Sequence, residues 1–163
     1  MIIGIVCADA HWGIGKNNDL LFHLKGDMKF FRETTTGQIC VMGFNTLKSF
    51  PGGKPLKNRT NVVLCRVGEE PEGCVVYHSF EGLISAIRNY QADDRDVYVI
   101  GGGMMYKSML PYYDKVYVTE VDAVDPDAQV FFPDLVAAGF KVEKESEVFS
   151  ENGLSYKFVT YVR

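Results

Sequence analysis

Apolar residues first recur in short unbroken runs. Ile-Ile-Gly-Ile-Val-Cys-Ala spans 2–8, and the segments 39–43 (Ile-Cys-Val-Met-Gly), 60–65 (Thr-Asn-Val-Val-Leu-Cys) and 96–100 (Asp-Val-Tyr-Val-Ile) repeat the pattern. Runs this short and this rich in β-branched residues predict strands buried on both faces. From 115 the pattern turns to alternation: Lys-Val-Tyr-Val-Thr-Glu-Val-Asp covers 115–122, with Val116 and Val118 on one face. Two further alternating runs, at about 140–149 and 154–162, flank Ser-Glu-Asn-Gly, a hairpin signal. Helical spacing falls between the early runs. Residues 27–35 begin on Asp27 and carry apolar Met28, Phe30 and Phe31, and 80–90 place Leu83, Ile84 and Ile87 on one stripe. A further helix opens after Gly101-Gly102-Gly103. This order predicts an α/β fold, a mostly parallel sheet finished by a C-terminal antiparallel hairpin. Such sheets bind ligands at the carboxyl ends of their strands.

Composition narrows the partners. With 163 residues, 47% hydrophobic, the chain fits one domain over 1–163 with a proper core. Its formal charge of −4, with no basic block, argues against nucleic acid and against an anionic membrane. Cys7, Cys40, Cys65 and Cys74 form no CxxC pair and read as small buried hydrophobes. The uncharged start Met-Ile-Ile-Gly-Ile-Val-Cys-Ala has no signal-peptide character, and the expected location is cytoplasmic.

Few residues suggest chemistry by themselves. His11, His23 and His78 are scattered, so no metal site is expected, and no nucleophile elbow is present. Val-Tyr-Val-Ile-Gly101-Gly102-Gly103 reads as a strand, a bare turn and a helix start, which suits either a phosphate or a plain tight turn. The loop Asp9-Ala-His-Trp12-Gly13-Ile14-Gly15 either closes over a ligand or packs on the surface. Asp27 alone is an ordinary helix-start acid. Phe30 and Phe31 at i+3 and i+4 would desolvate it and raise its pKa, the environment of a proton donor. Arg59 and Arg66 bracket a buried strand, either as surface cations or as partners for carboxylate or phosphate.

Together these segments resemble the dihydrofolate reductase family nearly end to end. The motifs are Gly-Ile14-Gly15-x-x-Asn18-x-Leu20-x-Phe22-x-Leu24-x-x-Asp27-x-x-x-Phe31; Val41-Met42-Gly43-x-x-Thr46-x-x-Ser49; Pro55-Leu56-x-x-Arg59-x-Asn61-Val-Val-Leu; and Ile100-Gly-Gly-Gly103-x-x-Tyr106. Val118-Thr119 and Phe132-Pro133 follow in order.

The resemblance implies an eight-stranded, mostly parallel sheet with about four helices. It implies hydride transfer from NADPH to C6 of 7,8-dihydrofolate and protonation at N5, giving tetrahydrofolate for one-carbon metabolism. It further implies a monomer that antifolate inhibitors would bind. Asp27 would hold N3 and the 2-amino group of the pterin, with Thr119 supporting its carboxylate. Phe22 and Leu20 would complete the catalytic neighbourhood. Ile5, Val6, Cys7, Met28, Phe31 and Arg32 would line the substrate pocket from one side, and Phe50, Leu56 and Ile100 from the other. Arg59 would pair with the α-carboxylate of the substrate's glutamate tail. Ile14, Gly15, Asn18 and Leu20, in a mobile loop, would close over the nicotinamide, with Cys7 and Ile100 beside it. Gly43, Thr46 and Ser49, with Gly101, Gly102 and Gly103, would follow the cofactor phosphates, and Gly101-Gly102 would be a cis peptide. Phe44, Asn45, Leu64, Cys65 and Arg66 would border the adenosine half with His78 and Ser79, and Met104, Met105 and Tyr106 would continue the cofactor site.

Departures from the family pattern are specific. Phe44 and Asn45 stand where a basic residue is common after Met-Gly, and Met104 where some members carry Arg. The cofactor's 2′-phosphate would then rest mainly on Arg66, predicting a reduced preference for NADPH over NADH. Phe22 replaces a common Trp and offers no N–H to hold a water. Leu21 replaces a common Pro. A pyrimidine reductase of the riboflavin pathway and a non-catalytic folate-sequestering module are the competing readings. The Asp27 and Arg59 pairing argues against the first, and intact Asp27 and Thr119 against the second.

Overall fold

The computed structural model describes residues 1–90 and 92–163. The sheet is built outward from β1 (Ile2–Ala8), buried along almost its whole length. On one side it is followed in parallel by β7 (Val97–Gly101), β4 (Ile39–Gly43), β5 (Thr60–Leu64) and β6 (Val75–Tyr77). On the other lies β8 (Lys115–Val121), also parallel, then β12 (Leu154–Val162) and β10 (Lys141–Glu145), each antiparallel to its neighbour. The short strand β11 (Phe149–Glu151) pairs with β12 through a turn at Asn152 and Gly153, both at positive φ. Asn-Gly is the dipeptide that such a two-residue hairpin turn requires.

Alternation along the strands decides which layer each side chain enters. Ile3 and Ile5 of β1 face α1 (Lys25–Thr35), packing with Phe30, Phe31 and Tyr98. Cys40 and Met42 of β4 pack with Leu47 of α2 (Phe44–Ser49). Ile2, Val6 and Ala8, with Ile39 and Val41, enter the larger core beneath α3 (Phe80–Tyr90) and α4 (Gly103–Ser108). The expected α3 stripe of Leu83, Ile84 and Ile87 is buried there. Burying each such side chain is worth about 1.5–3 kcal/mol. The Ser79 hydroxyl accepts the Gly82 N–H at 3.1 Å and caps the start of α3.

Several elements lie outside the sequence expectation. A second, three-stranded sheet joins β2 (Gly13–Lys16), β3 (Asp19–Leu20) and β9 (Val130–Phe131). Its strands are too short, and β2 too glycine-rich, to show a period. The same holds for β6 and for the six-residue α2. The run expected at 140–149 divides into β10 and β11, because β10 is irregular between Val142 and Lys144 and pairing stops at Glu145. Trp12, expected either over a ligand or on the surface, packs on Phe132 and Tyr161 with ring centroids 6.3 and 5.9 Å apart. Among the described residues no helix is long and apolar enough to cross a membrane.

Candidate active site

The expected site residues gather about the carboxyl ends of β1, β4 and β7 and on α1 and α2, and this region is the candidate cleft. Asp27 is the third residue of α1 and reaches across to β8, where the Thr119 hydroxyl donates a 2.6 Å hydrogen bond to its Oδ1. Thr119 is only 2% exposed and is fixed by pairing with Cys7 of β1 and Phe158 of β12. Burial raises the Asp27 pKa above the ordinary carboxylate range; Thr119 and Cys7 pull it back in part, and the Glu151 carboxylate adds to the rise. Burial and the facing Asp27 carboxylate in turn push the Cys7 thiol far up, so it stays protonated. Among the described residues no group of three His, Cys, Asp or Glu side chains is placed to hold a metal.

The neighbouring elements carry apolar clusters. Phe31 packs against Ile3 and Ile5, Phe50 and Leu56 pack against the α2 cluster, and Ile100 touches both groups. Phe22 packs with Leu24, Val121 and Tyr156, beside Cys7. The Val6 side chain points the other way, into the core under α3 and α4, so only its backbone borders the cleft. Met28, 51% exposed, and Arg32 lie on the open side of α1. Tyr106 is buried and its hydroxyl donates to the Ile5 carbonyl at 2.8 Å, fixing the cleft strand from behind. Ile14, Met105 and Tyr106 all have their side chains in that rear core, while Met104 is 85% exposed.

Arg59 is held at the cleft's far end. Its Nη1 donates to Thr35 Oγ1 at 3.0 Å and its Nε to the Lys57 carbonyl at 2.9 Å. Asn61 knots the turn ahead of β5: its amide accepts from Leu56 N–H and donates to the carbonyls of Leu56 and Arg59. The motif carried Asn61, but nothing in its type or spacing disclosed that it shapes the Arg59 turn.

Bare backbone lines the opposite wall. The Gly101–Gly102 peptide is cis, and a Cβ on Gly101 would stand 3.0 Å from Thr46 Oγ1. Gly43 and Gly102 come close enough that a Cβ on the former would lie 3.9 Å from the amide nitrogen of the latter. Ser49 donates its hydroxyl to the Thr46 carbonyl at 2.6 Å. Beyond this wall, Arg66 is exposed and His78 bridges Glu70 (2.8 Å) and the Cys65 carbonyl (3.2 Å). One cation here lies outside the sequence expectation. Lys48, one turn beyond Phe44, sets its ammonium 4.9 Å over the Phe44 ring. Of the loop residues, Gly15 is buried in β2, whereas Asn18, at positive φ, and Leu20 are exposed. Leu64 ends β5 and Cys65 follows it, and Asn45 is exposed on α2.

The family model described as Dihydrofolate reductase matches residues 1–163. The chain belongs to the dihydrofolate reductase family. It is 38% identical to the dihydrofolate reductase of Haemophilus influenzae over 130 residues, 80% of this chain and 77% of that one. It is 30% identical to the Bacillus subtilis enzyme over 164 residues, covering 99% and 94%. Among solved structures it is similar to the dihydrofolate reductase from Enterococcus faecalis complexed with NADP(H) and RAB-propyl. The TM-score is 0.86 and the identity 28%, with 100% of this chain and 96% of the other covered.

Proposed function

We propose that this chain, an NADPH-dependent reductase of 7,8-dihydrofolate, holds its substrate and favours protonation of N5 with one carboxylate, that of Asp27. The observation that carries the reading is the Asp27–Thr119 hydrogen bond, set at 2.6 Å in an apolar cleft. A carboxylate fixed there accepts hydrogen bonds from N3–H and the 2-amino group of the pterin through the lone pairs that Thr119 leaves open. Its negative charge favours the cation formed when N5 takes up a proton, and low local polarity strengthens that effect. Ile5, Phe31, Phe50, Leu56 and Ile100 exclude water from the ring face. Arg59, pre-set by Thr35 and the Lys57 carbonyl, pairs with the carboxylate of the substrate's tail.

The cofactor fits the bare wall. Gly43, Gly101 and Gly102 give a backbone surface that a Cβ would fill, with the Thr46 hydroxyl beside it. These residues, with Gly103 and Ser49, would hold the phosphates, and Arg66, His78 and Lys48 the 2′-phosphate end. Bound there, NADPH supplies the hydride that reduces C6. The chain's own part is to align the two rings and to raise the proton affinity of N5. Phe22 carries no polar hydrogen, so a water near N5 must be held by groups other than this side chain.

The reading takes residues 1–163 as one domain, working as a cytoplasmic monomer and open to antifolate inhibitors in the same cleft. The test is dihydrofolate-dependent loss of NADPH absorbance by the purified protein, expected at an ordinary enzymatic rate. Binding of NADPH without turnover would favour a sequestering role, and turnover only of a phosphorylated pyrimidine would favour the related reductase.

A further inference from the structure

Helix α1, which carries Asp27, begins without a cap of its own. Its N-cap residue is Leu24, buried and unable to accept a hydrogen bond through its side chain. The first N–H groups of any helix need partners from elsewhere. Here they come from the far end of the chain. Glu151 Oε2 accepts from Lys25 N–H at 2.6 Å, and Oε1 accepts from Gly26 N–H at 3.2 Å. Glu151 ends β11 at the Asn152-Gly153 turn, so the hairpin geometry fixes its reach. Tyr156 of β12 presses on the same turn: its hydroxyl occupies the space that a Cβ on Gly26 would need.

We propose that Glu151 is a positioning residue of the reductase site, closing the amino end of α1 with both carboxylate oxygens and so setting the place and the electrostatic surroundings of Asp27. A helix amino end carries partial positive charge, which would stabilise the Asp27 carboxylate in the first turn. Glu151 offsets that charge, and its own negative charge opposes ionisation of Asp27. Both effects keep the Asp27 carboxyl easier to protonate than the helix alone would leave it.

The other groups around Asp27 are accounted for. Thr119 of β8 and Cys7 of β1 favour its ionised form. Tyr156 of β12 and Tyr106 of α4 have raised pKa values and stay neutral. On α1 itself Lys25, Lys29 and Arg32 are exposed and screened by solvent. Glu151 is therefore the group whose removal changes the charge near Asp27 without touching the substrate's partners.

The proposal rests on the reductase reading but is tested apart from it. Asp27 titration is followed by carboxyl carbon NMR in the unaltered protein, in E151Q and in E151A, alongside thermal unfolding and the pH–rate profile. In E151Q, one oxygen still caps the helix and the charge is gone. The expected result is a titration midpoint lower than in the parent in both variants, with a severalfold higher KM for dihydrofolate and an unchanged KM for NADPH. E151A should also unfold at a lower temperature than E151Q. An E151Q titration that superimposes on the parent overturns the proposal, whatever happens to stability. Should E151A fail to fold, E151Q decides alone. The titration needs no turnover, so a chain inactive on dihydrofolate would overturn the reductase reading and leave the Glu151 test intact.

Discussion

Thr119 and Asp27, 92 positions apart, meet in a 2.6 Å hydrogen bond in which the threonine hydroxyl donates. The bond fixes one oxygen of the carboxylate and leaves the other outside it. It also favours the ionised form. A hydrogen bond to a charged group is worth about 1.5–3 kcal/mol, the lower end of which is roughly tenfold in affinity. Thr119→Val should therefore raise the KM for dihydrofolate by about tenfold with the KM for NADPH unchanged. It should also move the Asp27 titration upward, opposite to E151Q. Steady-state kinetics and carboxyl NMR check both, and an unmoved KM for dihydrofolate would show that Thr119 is only a core residue.

Ionised Asp27 is a burden on the fold. Its pKa is raised in the native state, chiefly by burial, so the native protein binds its proton more tightly than the unfolded chain does. Stability from this group is then greatest at low pH and declines as pH rises through the unfolded value and up to the raised native one. Asp27→Asn removes the charge. The variant should melt at a higher temperature than the parent at neutral pH, with the advantage fading below about pH 4, where both are neutral. Thermal unfolding at the two pH values reads it directly. A neutral-pH melting temperature below the parent's would mean that the carboxylate stabilises the fold.

Much of the fold was legible because the central strands are unbroken apolar runs punctuated by turn residues. The Asn-Gly hairpin and the α3 stripe are where the spacing put them. Asp27 as a helix-start acid was legible, and so was the direction of its pKa shift, which burial produces. Its partners were not readable from spacing alone. Thr119 entered the sequence reading through the family motifs, and Glu151 sits on a strand that shows no pattern of its own. Side-chain facing was partly hidden too. Val6 lies between Ile5 and Cys7 in an unbroken apolar run, and only the pleat sends it to the opposite layer. Lys48 escaped notice because its place over Phe44 depends on α2, too short to predict.

On the proposed reading the 2′-phosphate end would rest on the exposed cations Arg66, Lys48 and His78, so selectivity should depend on charge. Arg66→Ala should weaken NADPH about tenfold or more while leaving NADH nearly unchanged, and Lys48→Ala should act in the same direction but less. His78 adds a pH dependence. Its hydrogen bonds to Glu70 and to the Cys65 carbonyl raise its pKa, so the imidazolium persists above its usual range. The ratio of NADPH to NADH efficiency should fall as pH rises through that raised value. A ratio flat with pH, or unchanged in His78→Gln, would remove His78 from the account.

Gly26 is required by a neighbour more than by its backbone. A methyl group there would run into the Tyr156 hydroxyl. Overpacking of this kind costs about 1–3 kcal/mol. Gly26→Ala should lower the melting temperature and raise the KM for dihydrofolate, because the clash lies beside Asp27. Adding Tyr156→Phe should recover part of both losses. A double variant no better than Gly26→Ala alone would place the cause elsewhere.

The pH–rate profile of Asp27→Asn tests the central claim most directly. The account predicts that hydride transfer in the variant falls by about 100-fold or more at neutral pH and that the deficit shrinks as acid protonates N5 from solvent. A variant as fast as the parent at neutral pH, or a deficit equal at every pH, would contradict the assignment of N5 protonation to the Asp27 carboxylate.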